Sequence, residues 1–291
     1  MVAGALAPMV VFAIVAAQVL QRHERETSDR DAVGRARAAM SAVDAHLRSS
    51  IVSLETLAAS RNLESGDIAA FHAESQRVLR TQPGWVNIGL ASSAKVQLSN
   101  AVYAFGKPEP LTTTPDDASF DAVVRSGKAG IGSVSPGAAV RSPTVRVRIP
   151  VRYGGEVRYV MSAPLNLKHL AELLDAPRSP DGRATVLVDR DKQTIVRVPA
   201  APAGSPAPDD LREALARSPE GFFQGTSPEG QPTYTSYVTS PLSGWALGIT
   251  VPGAAVDGGA RRSLALLAAG VLAALAAGGL LAWLIARRIP Q

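Results

Sequence analysis

The chain of 291 residues has no cysteine, which excludes a disulfide framework and any thiolate metal site. Histidine is scarce: His23, His46, His72 and His169 make up the whole set, and no two stand at metal-ligand spacing along the chain. No Gly-x-Ser-x-Gly elbow, P-loop or glycine-rich ATP-binding box occurs, so hydrolase and nucleotide-dependent kinase chemistry lack their usual parts. The formal net charge is +5, but it is scattered. No Lys/Arg cluster interleaves with aromatic residues, which argues against nucleic-acid binding. His23-Glu24 has the residue pair of a phosphoacceptor site, yet it abuts an apolar run and reads as a solvated piece of helix. Asp189 and Asp191 fall at an expected hairpin turn, where aspartate bonds the local backbone. No catalytic residue, metal or cofactor is expected.

Two long uncharged runs are present, 1–20 and 263–286. About 20 apolar residues at about 1.5 Å rise match the ~30 Å hydrocarbon core of a bilayer. The runs read as two transmembrane helices enclosing one large polar region. Arg287 and Arg288 just beyond the second run favour the cytoplasm for that end, which places 21–262 outside a bacterial cytoplasmic membrane. In the second run, Gly270, Ala274, Gly278 and Ala282 recur every fourth residue, a small-residue stripe suited to close helix packing in lipid.

Between the runs, 21–63 carries apolar or small residues at Val33, Ala36, Met40, Val43, Leu47, Ile51, Leu54 and Ala58. Steps of three and four put them on one face of a long α-helix. A second helix is expected over 67–80, with Asp67 or Ser65 near its N-cap. From Trp85 the period changes to that of strands, expected at 86–92, 96–103, 131–135, 144–153 and 157–163. A helix over 116–126, closed by Gly127, interrupts them, and Gly154-Gly155 marks a tight hairpin. A short helix follows at 167–174. The plan then repeats on a smaller scale: strands at 185–189 and 194–198, a helix at 209–217, and strands at 221–224, 232–239 and 245–251. The expected class is α+β: two PAS-like antiparallel sheet modules behind one long N-terminal helix, flanked by two transmembrane helices. The expected divisions are 1–20, 21–82, 83–176, 177–258 and 259–288.

Strand 144–152 alternates cleanly. Val145, Val147, Ile149 and Val151 take one face, and Arg146, Arg148 and Arg152 the other. Arg146 and Arg148 together suit a carboxylate or phosphate. With Trp85, Asn87, Asn100, Tyr103 and Tyr159 they form the candidate ligand-binding set in the first module. The alternative is that this arginine face is solvated or rests on the long helix. Trp85 and Trp245 each open a strand after a glycine, which fits core packing or a ligand platform.

Several short motifs occur in order: Pro83-Gly84-Trp85-Val86; Asn100 to Pro110 with Phe105-Gly106; Ile149-Pro150-Val151 with Gly154-Gly155; Val188-Asp189-Arg190; Glu220-Gly221-Phe222-Phe223; and Ser243-Gly244-Trp245 before Val251-Pro252. In this order, between two apolar runs, they make the chain resemble the double Cache sensor regions of bacterial transmembrane receptors, most of all those of histidine kinases. The resemblance implies a non-catalytic, dimeric sensor of an unknown small-molecule ligand, with its kinase or other output domain following the Arg287–Gln291 end. The alternatives are the sensor of a diguanylate cyclase or chemoreceptor, or a membrane-anchored envelope scaffold without a ligand. Relatives that bind amino acids carry an Arg-x-Trp-Tyr element that does not align around Trp85, so an amino-acid ligand is not implied.

Overall fold

A computed structural model of the chain describes residues 2–106, 117–136, 143–174, 182–199, 203–227 and 230–255, with 269–270, 273 and 276–280 beyond them; side chains are described from residue 29 onward. Helix α1 runs unbroken over Val2–Ala58. Its apolar stripe is buried as the spacing requires: Ala36, Met40, Val43, Leu47 and Leu54 join Leu57 in the core. Each large apolar side chain so buried contributes about 1.5–3 kcal/mol, so the stripe holds the helix in place. The helix closes earlier than 63. Ser60 turns extended and caps the short α2 (Arg61–Glu64) by accepting the Asn62 N–H, while its hydroxyl donates to Glu74 at 2.5 Å. Glu74 lies on α3 (Ile68–Leu79), whose N-cap is Asp67, accepting from the Ala70 N–H.

The strands that follow are β1 (Gly89–Ser92) and β2 (Gln97–Asn100). Helix α4 (Asp117–Ser126) comes next and then β3 (Gly130–Ile131), β4 (Ser135–Pro136), β5 (Pro143–Thr144), β6 (Arg146–Tyr153) and β7 (Glu156–Pro164). The helix α5 (Leu167–Leu174) leads to β8 (Ala184–Val188), β9 (Thr194–Val198), α6 (Asp209–Arg217), β10 (Glu220–Thr226), β11 (Pro232–Thr239) and β12 (Ala246–Pro252). The strands expected at 131–135 and 144–153 are each divided. Gly132 still donates to the Arg146 carbonyl, but the Val134 N–H leaves the sheet for the Asp189 carboxylate, and β4 pairs with β5 as a separate ribbon. Gly154 and Gly155 both have positive φ, 61° and 89°, as a tight β6–β7 hairpin demands.

The two five-stranded sheets are ordered β2-β1-β7-β6-β3 and β10-β11-β12-β8-β9, antiparallel throughout. Counted within each sheet, both orders read 2-1-5-4-3, with a helix between the second and third strands. The repeat expected from the element pattern is therefore a repeat of topology. One face of each sheet packs against α1 in a shared core that runs from Leu47, Leu54 and Ile149 to Leu187, Trp245 and Leu247. The opposite face of the first sheet meets α4 through Phe120, Val123 and Val160. That of the second meets α6 through Leu211, Ala214 and Tyr237.

The motif around Trp85 is a clamp on α1. A Cβ on Gly84 would come within 2.4 Å of the His46 ring, so glycine lets the segment cross the helix. One helical turn on, the Trp85 indole N–H donates to Ser50 Oγ at 2.9 Å. His46 also faces His169 of α5, ring centres 5.3 Å apart, and His169 lies 3.6 Å from Glu172. Burial pulls the His46 pKa below its ordinary value of 6.5, and His169 adds to the shift. The unfolded chain therefore takes up this proton before the folded chain does. Stability is expected to fall as the pH drops below about 6.5 and to finish falling once the folded value is passed. Melting temperatures between pH 7.5 and 5 check this, and His46→Phe is expected to flatten the profile in that window.

Among the described residues, no helix is long and apolar enough to cross a membrane. The runs 1–20 and 263–286 lie wholly or largely outside the residues whose side chains are described. Of the small-residue stripe, Ala274 and Ala282 lie outside the described residues, and a Cβ on Gly270 or Gly278 would meet nothing within 4 Å among them.

Candidate ligand-binding site

The alternation along β6 assigns its residues to two environments. Val147, Ile149 and Val151, with Val145 just before them, are buried on the α1 face. Arg146 and Arg148 are buried on the other, 5% and 0% exposed. Arg146 and Arg148 are neither solvated nor set against the long helix, and Arg148 lies under α4; Arg152, beyond a shift in the register, is exposed and donates to the Gly127 carbonyl. Arg148 Nε donates to Ser119 Oγ of α4 at 2.8 Å and Nη1 to Ser162 Oγ of β7 at 2.9 Å. The guanidinium carbon stands 5.6 Å from the centre of the Phe120 ring, within cation–π range. Arg146 Nη1 donates to Ser135 Oγ at 2.5 Å.

Strand register extends this face across the first sheet. Gly130, Arg148, Ser162, Gly89 and Asn100 are successive cross-strand partners, so they share one side of the pleat. Asn87 is buried two residues before Gly89. Its side-chain oxygen accepts from the Ile88 N–H, and that of Asn100 from the Val102 N–H. The row is polar. A Cβ on Gly89 would meet nothing closer than Gln97 Nε2 at 3.9 Å among the described residues.

The same row of the second sheet meets α6. Arg197, Val186, Gly248, Tyr237 and Gly221 are its cross-strand partners. A Cβ on Gly248 would stand 3.3 Å from Val186 and 3.4 Å from Leu211 of α6. The Tyr237 hydroxyl donates to the Ala214 carbonyl of the same helix at 3.2 Å. Two sheets of one topology thus differ in this respect: Arg148, Ser162 and Asn100 of the first stand where the second has Tyr237, Gly248 and Arg197.

Of the seven residues expected to bind ligand, Arg148 and Asn100 lie in one cross-strand row on the α4-facing side, and Asn87 and Arg146 are also buried. Trp85 and Tyr159 belong to the core on the α1 side. Tyr103 is half-buried in the turn after β2, and Lys107 to Pro110 of the neighbouring motif lie outside the described residues. Ser119, Ser135, Ser162 and Gly89 were not anticipated. Ser162 left a trace in the sequence, a lone hydroxyl in the apolar run Val160-Met161-Ser162-Ala163. Asp189 accepts the Gln193 N–H of its own turn, as turn chemistry leads one to expect, and the Val134 N–H as well. Among the described residues, no group of three or more His, Cys, Asp or Glu side chains is placed to hold a metal ion.

Solved structures share this architecture along nearly their whole length. The extracellular domain assigned to the histidine kinase rpHK1S-Z16 superposes with a TM-score of 0.60 at 14% identity, over 82% of this chain and 99% of that one. The chain has the fold of these Cache-like domains. The ligand-binding domain of the Pseudomonas fluorescens chemoreceptor CtaA, solved with L-isoleucine, shares the fold at a TM-score of 0.63 and 19% identity, over 81% and 98% of the two chains. That of the Campylobacter jejuni chemoreceptor Tlp3, solved with L-valine, gives 0.57 and 10%, over 80% and 96%. Neither a protein-family model nor the sequence of a curated protein matches the chain.

Proposed function

We propose that the chain is the extracytoplasmic ligand-sensing part of a bacterial transmembrane receptor, and that its ligand sits on the α4-facing side of the first sheet, against Arg146, Arg148, Asn87 and Asn100. The observation that carries this reading is a pair of buried guanidinium groups, Arg146 and Arg148, bonded to serine hydroxyls on that side of the first sheet, where the second sheet meets α6 through Tyr237 and Leu211. The division into a module at 83–176 and one at 177–258, the two anchors at 1–20 and 263–286, and a homodimeric state belong to the same reading. A histidine kinase is the proposed output, and a chemoreceptor the alternative. Domains of both kinds share the fold.

Thermal unfolding of the full chain against a panel of amino acids, mono- and dicarboxylates and phosphorylated metabolites tests it. A ligand that binds only the folded state stabilises by about 2.7 kcal/mol at a hundred times its Kd, so a clear rise in melting temperature is expected for at least one carboxylate or phosphate. A flat response across the panel would favour an envelope scaffold without a small-molecule ligand.

A further inference from the structure

The ligand face proposed above is joined to the second sheet by a short run of polar contacts. Arg146 holds Ser135 through its hydroxyl at 2.5 Å. The preceding residue, Val134, donates its N–H to Asp189 Oδ2 at 2.8 Å, across 55 positions of sequence. Asp189 is 0% exposed and stands immediately after β8. Its other oxygen accepts the Gln193 N–H at 2.8 Å, which closes the turn into β9. One buried carboxylate therefore ties a backbone amide beside the first sheet to a backbone amide in the second. A charged acceptor in such a place holds both donors more strongly than a neutral one, and leaving either donor unpaired and buried is costly. The turn is also tied onward. Arg190 Nε donates to the Ser243 carbonyl at 2.6 Å, and Ser240 in that same β11–β12 turn donates to Asp44 of α1 at 2.7 Å. Val188 pairs with Ala246 of β12, the strand that leads toward the second apolar run.

We propose that Arg146, Ser135, Val134 and Asp189 form a coupling element through which the state of the α4-facing side of the first sheet is read by the β8–β9 turn of the second. An anion that draws the Arg146 guanidinium away from Ser135 removes one hold on the Val134 segment, which the Gly132 bond and the β4–β5 pairing still position, loosens one of the two bonds to Asp189, and so changes the hold on Gln193. Coupling of this kind needs a demonstrated response at the far end, since spatial continuity alone does not establish it. The inference rests on the ligand reading for its purpose, but its test needs no ligand.

The measurement is amide hydrogen exchange on the full chain, resolved at Val134 and Gln193. Ser135→Ala removes the hydroxyl that Arg146 grips and leaves Asp189 untouched. It is expected to speed exchange about tenfold at Gln193 as well as at Val134, since protection reports local opening. Arg146→Lys is a second variant, with the charge kept and the fork lost, and the same direction is expected. Asp189→Asn is expected to speed exchange at both amides, with Ser135→Ala adding little on top of it, the non-additivity of residues that act together. Unchanged exchange at Gln193 in both Ser135→Ala and Arg146→Lys overturns the coupling. If a panel compound raises the melting temperature while Gln193 ignores both variants, the coupling fails and the sensor reading stands. If Gln193 responds and no compound binds, the coupling stands and the sensor reading fails.

Discussion

Trp245→Ala is expected to cost about 3–5 kcal/mol of folding stability, the range for emptying a buried aromatic site. Trp245 is 0% exposed and lies in the core that joins α1 to the second sheet. A domain with about 5–15 kcal/mol in total would lose a fifth or more of it. Trp85→Ala is expected to fall in the same range, because Trp85 is 5% exposed and packs on the other end of that core. The phenylalanine variants separate the two. Trp85→Phe removes the donor to Ser50 and leaves that buried hydroxyl without the bond, a further cost of about 1–3 kcal/mol. The Trp245 indole nitrogen is buried with no hydrogen-bond partner among the described residues, so Trp245→Phe gives up volume but no such bond, and is expected to be the milder change. Urea unfolding followed by circular dichroism measures all four. A loss under about 1 kcal/mol for either alanine variant would mean that the shared core contributes far less than its burial implies.

This places both tryptophans in the structural frame, a choice the sequence left open. A Gly-Trp step at the start of a strand looks the same whether the ring meets a helix or a ligand. What decides it is which side of the sheet α1 occupies. The alternation along 145–152 showed the opposite limit. It separated the valines from the arginines correctly, because a period of two admits one assignment of faces, but it could not say what covers each face. Arg148 turned out to lie beneath the crossover helix α4. That depends on how the chain between β2 and β3 crosses the sheet.

The shared strand order was legible as a repeated sequence of elements. The difference between the two rows was not, since Gly89 and Gly248 are both strand glycines, and the tight packing of Val186 and Leu211 around Gly248 has no local signature. Asp189 was legible in half. Its bond to Gln193 is local and follows from turn chemistry; its bond to Val134 spans 55 residues and has no local signature. The end of α1 was missed for a similar reason. Ala58, Leu57 and Leu63 continue an apolar pattern, but Ser60 finds better partners as a cap and as a donor to Glu74, and the helix stops there.

The largest functional effect is expected at Arg148. For the compound that raises the melting temperature most, Arg148→Lys is expected to weaken binding about ten- to a hundredfold, since hydrogen bonds to a charged group contribute about 1.5–3 kcal/mol and each 1.4 kcal/mol is a factor of ten. Lysine keeps the charge but cannot reproduce the planar fork that reaches Ser119 and Ser162 from two nitrogens. A loss of binding with the charge retained would therefore point to geometry. Ser162→Ala separates the arginine's own contact with ligand from its positioning. If Ser162 serves to aim the guanidinium, its removal is expected to weaken binding less than Arg148→Lys, and to cost the ligand-free chain about 1–3 kcal/mol of stability because a buried guanidinium N–H loses its acceptor. Leu211→Ala on the second sheet is the matched control. It opens a cavity over Gly248 and is expected to cost about 2–5 kcal/mol of stability without altering the affinity. Isothermal titration on the three variants measures the affinities. Equal binding by wild type and Arg148→Lys would remove the first sheet's arginine face as the ligand site, and a loss confined to Leu211→Ala would move the site to the second sheet.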